Sequence, residues 1–157
     1  LLTKGCRILL SKSVRLLLER LAATLKPQNL TFLDTVEKGE VIRYWSILDL
    51  AIVHLRKTEL FKTVIPSKIF ECMGMGLPIL HAVEGESADI ICAVKAGVLV
   101  EPENSHGIAS QIIALSQNRE RLGKMAENSK AAGGHYDRTQ LAEYMLNVLE
   151  RVSGCRE

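Results

Sequence analysis

Apolar positions along the chain alternate between two periods. Short β-branched and aliphatic runs at 6–10 (CRILL), 30–33 (LTFL), 50–55 (LAIVHL), 78–82 (PILHA) and 98–100 (VLV) predict strands. Between them, apolar residues recur three and four apart, as on one face of a helix. The stretch 14–25 turns Arg15, Glu19 and Arg20 to water and ends at Pro27; 39–49, 67–75 and 87–96 read as three more helices, the last stopped by Gly97. Helices near 105–116, 118–132 and 137–152 close the chain. The run 50–55 is continuously apolar, which predicts a strand covered on both faces, with His54 a satisfied core residue. A polar loop, RKTELFKTVI, follows it.

This alternation predicts an α/β fold: a doubly wound parallel sheet with helices on both faces and right-handed crossovers. The 157 residues fit one domain, 1–157. In such sheets ligands bind beyond the carboxyl ends of the strands. That rule selects the loops 11–13, 34–38, 56–68, 82–87 and 101–105 before any motif is considered.

Composition narrows the function classes. Hydrophobic residues make up 47% of the chain, which excludes a disordered protein, and aromatics only 4%, so the core is aliphatic. A net charge of +2, with basic residues spread out, speaks against a nucleic-acid partner. Cys6, Cys72, Cys92 and Cys155 form no CxxC and no metal spacing with a histidine; they are expected to be reduced and buried, in a reducing, cytoplasmic compartment. No apolar run reaches the ~18–20 residues that span a bilayer. The start, LLTKG, lacks a signal-peptide pattern and looks like a chain joined midway, so a truncated N-terminus is expected.

The candidate chemistry centres on PSKIFECMGMGLPIL (66–80). Ser67 is placed to cap a helix whose unpaired N–H groups and dipole suit a phosphate. Lys68 in the first turn opposes that dipole unless an anion arrives between them. Glu71, one turn on, is suited to a pair of vicinal hydroxyls, as on a ribose. Together they describe a nucleoside diphosphate site. A capped helix with a solvated lysine and glutamate, ended by Gly74 and Gly76, fits the same residues. Met73 and Met75 read as core filler. No Asp-x-Asp pair, Ser-His-Asp or Cys-His arrangement is present.

The ordered segments FKTVIPSKIFECMGMGLPIL, EGESADII, AGVLVEPEN and GIASQIIAL resemble the C-terminal half of retaining glycosyltransferases of family 4, enzymes of two-domain GT-B architecture. The closest likeness is to the bacterial branch that makes O-antigen and capsular sugars, with its PSKxFE-x-M-x-x-G-x-P signature. The likeness runs from Leu30 to Tyr136. It implies a Rossmann-like domain that holds a nucleoside diphosphate sugar, a UDP-sugar above all, without a metal or other cofactor. Ser67, Lys68 and Arg56 would bind the diphosphate, and Glu71 the ribose. The loop Glu84, Gly85, Glu86 and Ser87 would border the donor sugar or diphosphate, with His81 beside it, while Glu101 to Glu103 caps the next helix. Lys57 is a further candidate for phosphate. The acceptor would bind an absent N-terminal domain or a split subunit, and catalytic residues acting on it would lie there. The expected reaction moves a sugar, hexosyl or N-acetylhexosaminyl, to a lipid-linked or glycan acceptor with retention, at or near the inner face of the cytoplasmic membrane.

Two positions depart from the family pattern. Thr63 stands where the first glutamate of Glu-x7-Glu falls, and Ser11-Lys12-Ser13 replaces Gly-x-Gly after the first strand. The latter supports a rival reading, a non-catalytic nucleotide-binding module. A sugar-nucleotide 2-epimerase half is another rival, but it needs carboxylates and histidines converging on the sugar, and only Glu86 and His81 are near. A flavodoxin-like receiver would need an acidic cluster that the chain lacks after its first strand.

Overall fold

A computed structural model of the chain describes residues 6–8, 12–34, 36–37 and 39–154. The start at 1–5, the end of the first predicted strand, Ser11 and Cys155 lie outside the described residues. The chain divides into two compact units, Leu1–Val41 and Ile42–Glu157.

The first unit is a βαβ element. Strands β1 (Cys6–Ile8) and β2 (Leu30–Phe32) pair in parallel, with Cys6 opposite Leu30 and Ile8 opposite Phe32. Parallel strands need a long crossover, and α1 (Lys12–Leu25) supplies it. Lys26 then takes a left-handed conformation (φ 46°), and Pro27 prevents continuation of the helix. The next helix, α2, is shorter than its apolar pattern predicts: Val41–Trp45. Ser46 Oγ donates to the Arg43 carbonyl at 2.8 Å, and the N–H groups of Ile47 and Leu48 turn to carbonyls three residues back. That tightening closes the helix four residues early.

The second unit carries three parallel strands in the order β3 (Ala51–His54), β4 (Ile79–Ala82), β5 (Gly97–Leu99). Two short helices, α3 (Glu59–Lys62) and α4 (Lys68–Gly74), lie between β3 and β4, and α5 (Glu86–Val94) between β4 and β5. Helices α6 (Ser105–Ser116), α7 (Arg119–Gly133) and α8 (Arg138–Ser153) follow. The predicted loop 56–68 therefore contains a helical turn, started by Thr58, whose side chain accepts from the Phe61 N–H at 3.3 Å. Asn104, Asn118 and Asp137 cap α6, α7 and α8 in the same way.

Helices flank this sheet on both faces, because the register sorts the strand residues into two sets. Ala51, Val53 and Ile79 pack with Ile69, Cys72 and Met73 of α4 and Ile91 of α5. Leu80 and Val98 point the other way, onto Leu115 of α6 and Leu122 and Met125 of α7. Strand β4 is buried at every residue. Buried Ser129 of α7 donates its hydroxyl to the Leu77 carbonyl at 2.7 Å, which fixes α7 to the link before β4.

Three sequence expectations are corrected. Strand β3 is not covered on both faces: Ala51 and Val53 are buried, while Ile52 and His54 are exposed, because the helices on that side seat on β4 and β5. His54 is thus no core residue. Cys72 is buried, but Cys92 lies on the outer side of α5 and is exposed. Met73 is core, as expected, and Tyr136 packs on Phe70 with ring centroids 4.9 Å apart.

Gly97 opens β5 where a Cβ would lie 1.9 Å from the Ile79 carbonyl oxygen. That oxygen belongs to the central strand and cannot retreat. Gly97→Ala is expected to destabilise the fold by about 2–3 kcal/mol through overpacking. A urea midpoint equal to that of wild type refutes this.

Candidate functional site at the carboxyl ends of the strands

Lys57 follows β3 by three residues and reaches across the ends of all three strands. Its Nζ lies 2.6 Å from Glu101 Oε1, after β5, and 3.7 Å from Glu84 Oε1, after β4. The hydrogen bond to Glu101 raises the Lys57 pKa and lowers that of Glu101. Lys62, at the end of α3, lies 2.7 Å from Glu59 Oε1 and 3.6 Å from Glu84 Oε2. Its pKa is raised by the hydrogen bond to Glu59. These pairs are solvent-exposed, so their worth to stability is small. Their effect is positional, since one lysine ties together loops 44 residues apart in sequence. Lys57 is therefore engaged by carboxylates rather than presented to a phosphate.

The loop from β4 to α5 is fixed from two sides. Gly85 has φ +86°, and a Cβ there would lie 2.0 Å from the Lys62 carbonyl oxygen, so the loop rests directly on the α3 backbone. Beneath it, His81 Nε2 and Ser87 Oγ share a hydrogen bond of 3.0 Å, both side chains being fully buried. His81 Nδ1 is buried without a partner. A buried orphan N–H costs more than an orphan acceptor, which favours Nε2–H as the donor to Ser87. Burial pushes the His81 pKa down to about 4. Of the residues assigned here from sequence, Gly85 and Glu86 lie at the surface, and His81 and Ser87 lie below it, bonded to each other.

The amino end of α4 differs in detail from the sequence expectation. Ser67 already has helical dihedrals (φ −56°, ψ −23°), and its side chain makes no capping bond. The Ile69 N–H instead turns back to the Pro66 carbonyl at 3.1 Å. Proline, with φ preset, starts the turn that Ser67 was expected to cap. Lys68 and Glu71 are both exposed, three residues apart. The Lys68 ammonium lies 5.7 Å from the centre of the Trp45 ring, within cation–π range. Arg56 is exposed in the loop after β3. Glu84 belongs to the loop 84–87 that the family resemblance assigns to the donor, and Lys62 is the residue that sequence reading passed over. The only signal for Lys62 was its position beside Thr63.

Two further features bear on chemistry. The Cys72 thiol is pushed up to about 12, chiefly by burial, which makes it unreactive. Among the described residues no group of three His, Cys, Asp or Glu side chains is arranged to hold a metal ion, and no helix is long and apolar enough to cross a membrane.

A helix-flanked parallel sheet with its polar cluster at the strand ends places the chain in the α/β class with a GT-B-like fold. Residues 11–132 match the family described as glycosyl transferases group 1, and the chain belongs to it. Its fold is similar to a glycosyltransferase from Rickettsia africae ESF-5 (TM-score 0.77, 16% identity, covering 95% of this chain and 40% of that one). It is also similar to Anabaena Alr3699/HepE, solved in complex with UDP-glucose (TM-score 0.75, 17% identity, 94% and 41%). A third is the C-terminal domain of the group 1 protein LpcC from Francisella tularensis (TM-score 0.64, 20% identity, 80% and 63%). The chain thus spans about 40% of the length of the first two. No curated protein matches it in sequence.

The buried His81 gives a pH dependence with a definite sign. Its folded pKa lies below the ordinary value of 6.5, so the unfolded chain binds more protons between pH 6.5 and about 4. Stability should therefore fall as pH drops through that window, by up to ~1.4 kcal/mol per pH unit from this residue. His81→Gln is expected to flatten that slope in denaturation curves taken between pH 6.5 and 4.5. An unchanged slope refutes the assignment.

Proposed function

We propose that this chain is the donor-binding half of a retaining glycosyltransferase of family 4, from the branch that builds bacterial surface polysaccharides. The observation that carries the reading is Glu71. It stands exposed one turn into α4, in the family's motif, rather than inside the core that its neighbours Cys72 and Met73 form. Family membership over residues 11–132 and the UDP and UDP-glucose complexes of a structural neighbour support it.

In this reading the diphosphate meets the amino end of α4, with Ser67, Lys68 and Arg56 around it, and Glu71 accepts hydrogen bonds from the ribose hydroxyls. Lys68 exchanges its contact with the Trp45 face for the phosphate, a stronger, charge-assisted partner. Gly85 and Glu86 border the sugar, and the His81–Ser87 bond holds their loop from below. As the sugar departs, negative charge grows on the diphosphate. Fixed cations and backbone N–H groups that strengthen their hold at that moment lower the barrier, and no divalent ion is needed. The acceptor, lipid-linked or glycan, binds a second domain or subunit on the cytoplasmic side of the membrane.

Calorimetric titration with UDP, GDP and inorganic phosphate tests the donor site. The expected result is binding of one nucleoside diphosphate that resists EDTA and weakens about tenfold, ~1.4 kcal/mol, in Glu71→Ala. Equal binding by wild type and variant overturns the role of Glu71, and no nucleotide binding by wild type overturns the function.

A further inference from the structure

The chain has a single tryptophan, Trp45, at the end of α2. Its ring is half-buried, seated on the core cluster that holds Ile69, Cys72 and Met73 of α4. The turn after it is fixed, since Ser46 Oγ and the N–H groups of Ile47 and Leu48 all bond back to carbonyls of α2. Over the ring stands the exposed Lys68, its ammonium 5.7 Å from the centre. The other aromatic contact of α4 is closed on itself, with the Phe70 and Tyr136 rings stacked at 4.9 Å. Trp45 differs from that pair because its cover is a long, flexible side chain.

A ring covered by a movable cation has two states. An ammonium at a solvent-exposed indole is weakly held, and a phosphate is the stronger partner. When Lys68 turns to a diphosphate, the indole loses its cover and presents a flat, rigid, apolar surface on a fixed turn. A nucleobase fits that surface, because every base has a π-face and stacks on an aromatic side chain. The connectivity of the ligand agrees with this. The ammonium that would meet the phosphate starts 5.7 Å from the ring that would meet the base. In a nucleotide those two groups are joined by one pentose, and Glu71, three residues beyond Lys68, is the group read as its partner. Inorganic phosphate, by contrast, can draw the lysine away but cannot take its place.

We propose that Trp45 is the stacking platform for the nucleobase of the donor, with Lys68 as a removable cover that the diphosphate draws off. This rests on the donor-site reading above and adds to it the group that holds the nucleoside end. The lysine shields the indole from water in the empty protein and leaves it only when the ligand that needs it arrives. Stacking tolerates any base, so Trp45 sets how much affinity the nucleoside contributes and leaves the choice between bases to groups at the base edge.

Because the tryptophan is single, its emission reports on this ring alone. Wild type, Trp45→Leu and Trp45→Phe are titrated with UDP, GDP and inorganic pyrophosphate by calorimetry, and wild type also by fluorescence. Emission of wild type is expected to fall as UDP or GDP binds, with the calorimetric midpoint, and not to fall with saturating pyrophosphate. Trp45→Leu should weaken the nucleotide about tenfold and leave pyrophosphate within about twofold. Trp45→Phe, which keeps an aromatic face, should recover most of that loss. Nucleotide binding without a fall in emission, or an equal fall with pyrophosphate, overturns the platform. So do unchanged nucleotide binding in Trp45→Leu and equal losses for nucleotide and pyrophosphate. Nucleotide binding that weakens in Glu71→Ala but not in Trp45→Leu overturns the platform and leaves the donor site standing. A wild type that binds no nucleotide overturns both. Thermal midpoints of the variants close to wild type exclude unfolding as the cause; should Trp45→Leu fail to fold, the emission of wild type decides.

Discussion

Strand β4 is bonded along both edges and buried on both faces, and the loops of the candidate site take their positions from it. Ile79 pairs with Ala51 and Gly97, and His81 with Val53 and Leu99. Such a strand has no freedom to shift register, because a one-residue slip would trade one core for the other. The loop that leaves it begins from a fixed point. Two further restraints, the Gly85 contact with Lys62 and the His81–Ser87 bond, extend that rigidity to the start of α5. Preorganisation of this kind lets exposed charges act at fixed positions although their ion pairs add little stability.

The electrostatics divide the site. Around α4, Lys68 and Arg56 pair with no acid among the described residues; Lys68 rests on an indole face, which is a weak partner readily exchanged. At the strand ends the lysines are committed to carboxylates. The first environment suits an acceptor-only ligand and the second a ligand that donates as well.

Much of the architecture could be read from the sequence because local rules and tertiary demands agree. The strand at 78–82 and the helices beginning near Ser105, Asn118 and Asp137 fall where apolar period and capping residue coincide. The errors arise where a local signal has more than one outcome. Continuous apolarity at 50–55 fits a covered strand equally well as one with an open face, and neighbouring helices decide which. Four residues can form a helix when a threonine caps them, as in α3, and no periodicity is visible over so short a span. The candidate site was legible at α4, whose residues are contiguous. Lys57, Glu84 and Glu101 could be named singly, but not their association with one another and with Lys62, which depends on strand order. His81 was singled out for lying near the site, and its role below the surface follows from burial that only packing reveals.

Gly85 carries a consequence for how this scaffold can be altered. Its α-carbon faces a main-chain oxygen with no room for even a methyl group, so the tip of that loop is closed to chemical diversification. Any change in what this loop presents must come from the flanking positions 84 and 86. A library that varies those two alone would explore the accessible repertoire of the loop while leaving its geometry intact.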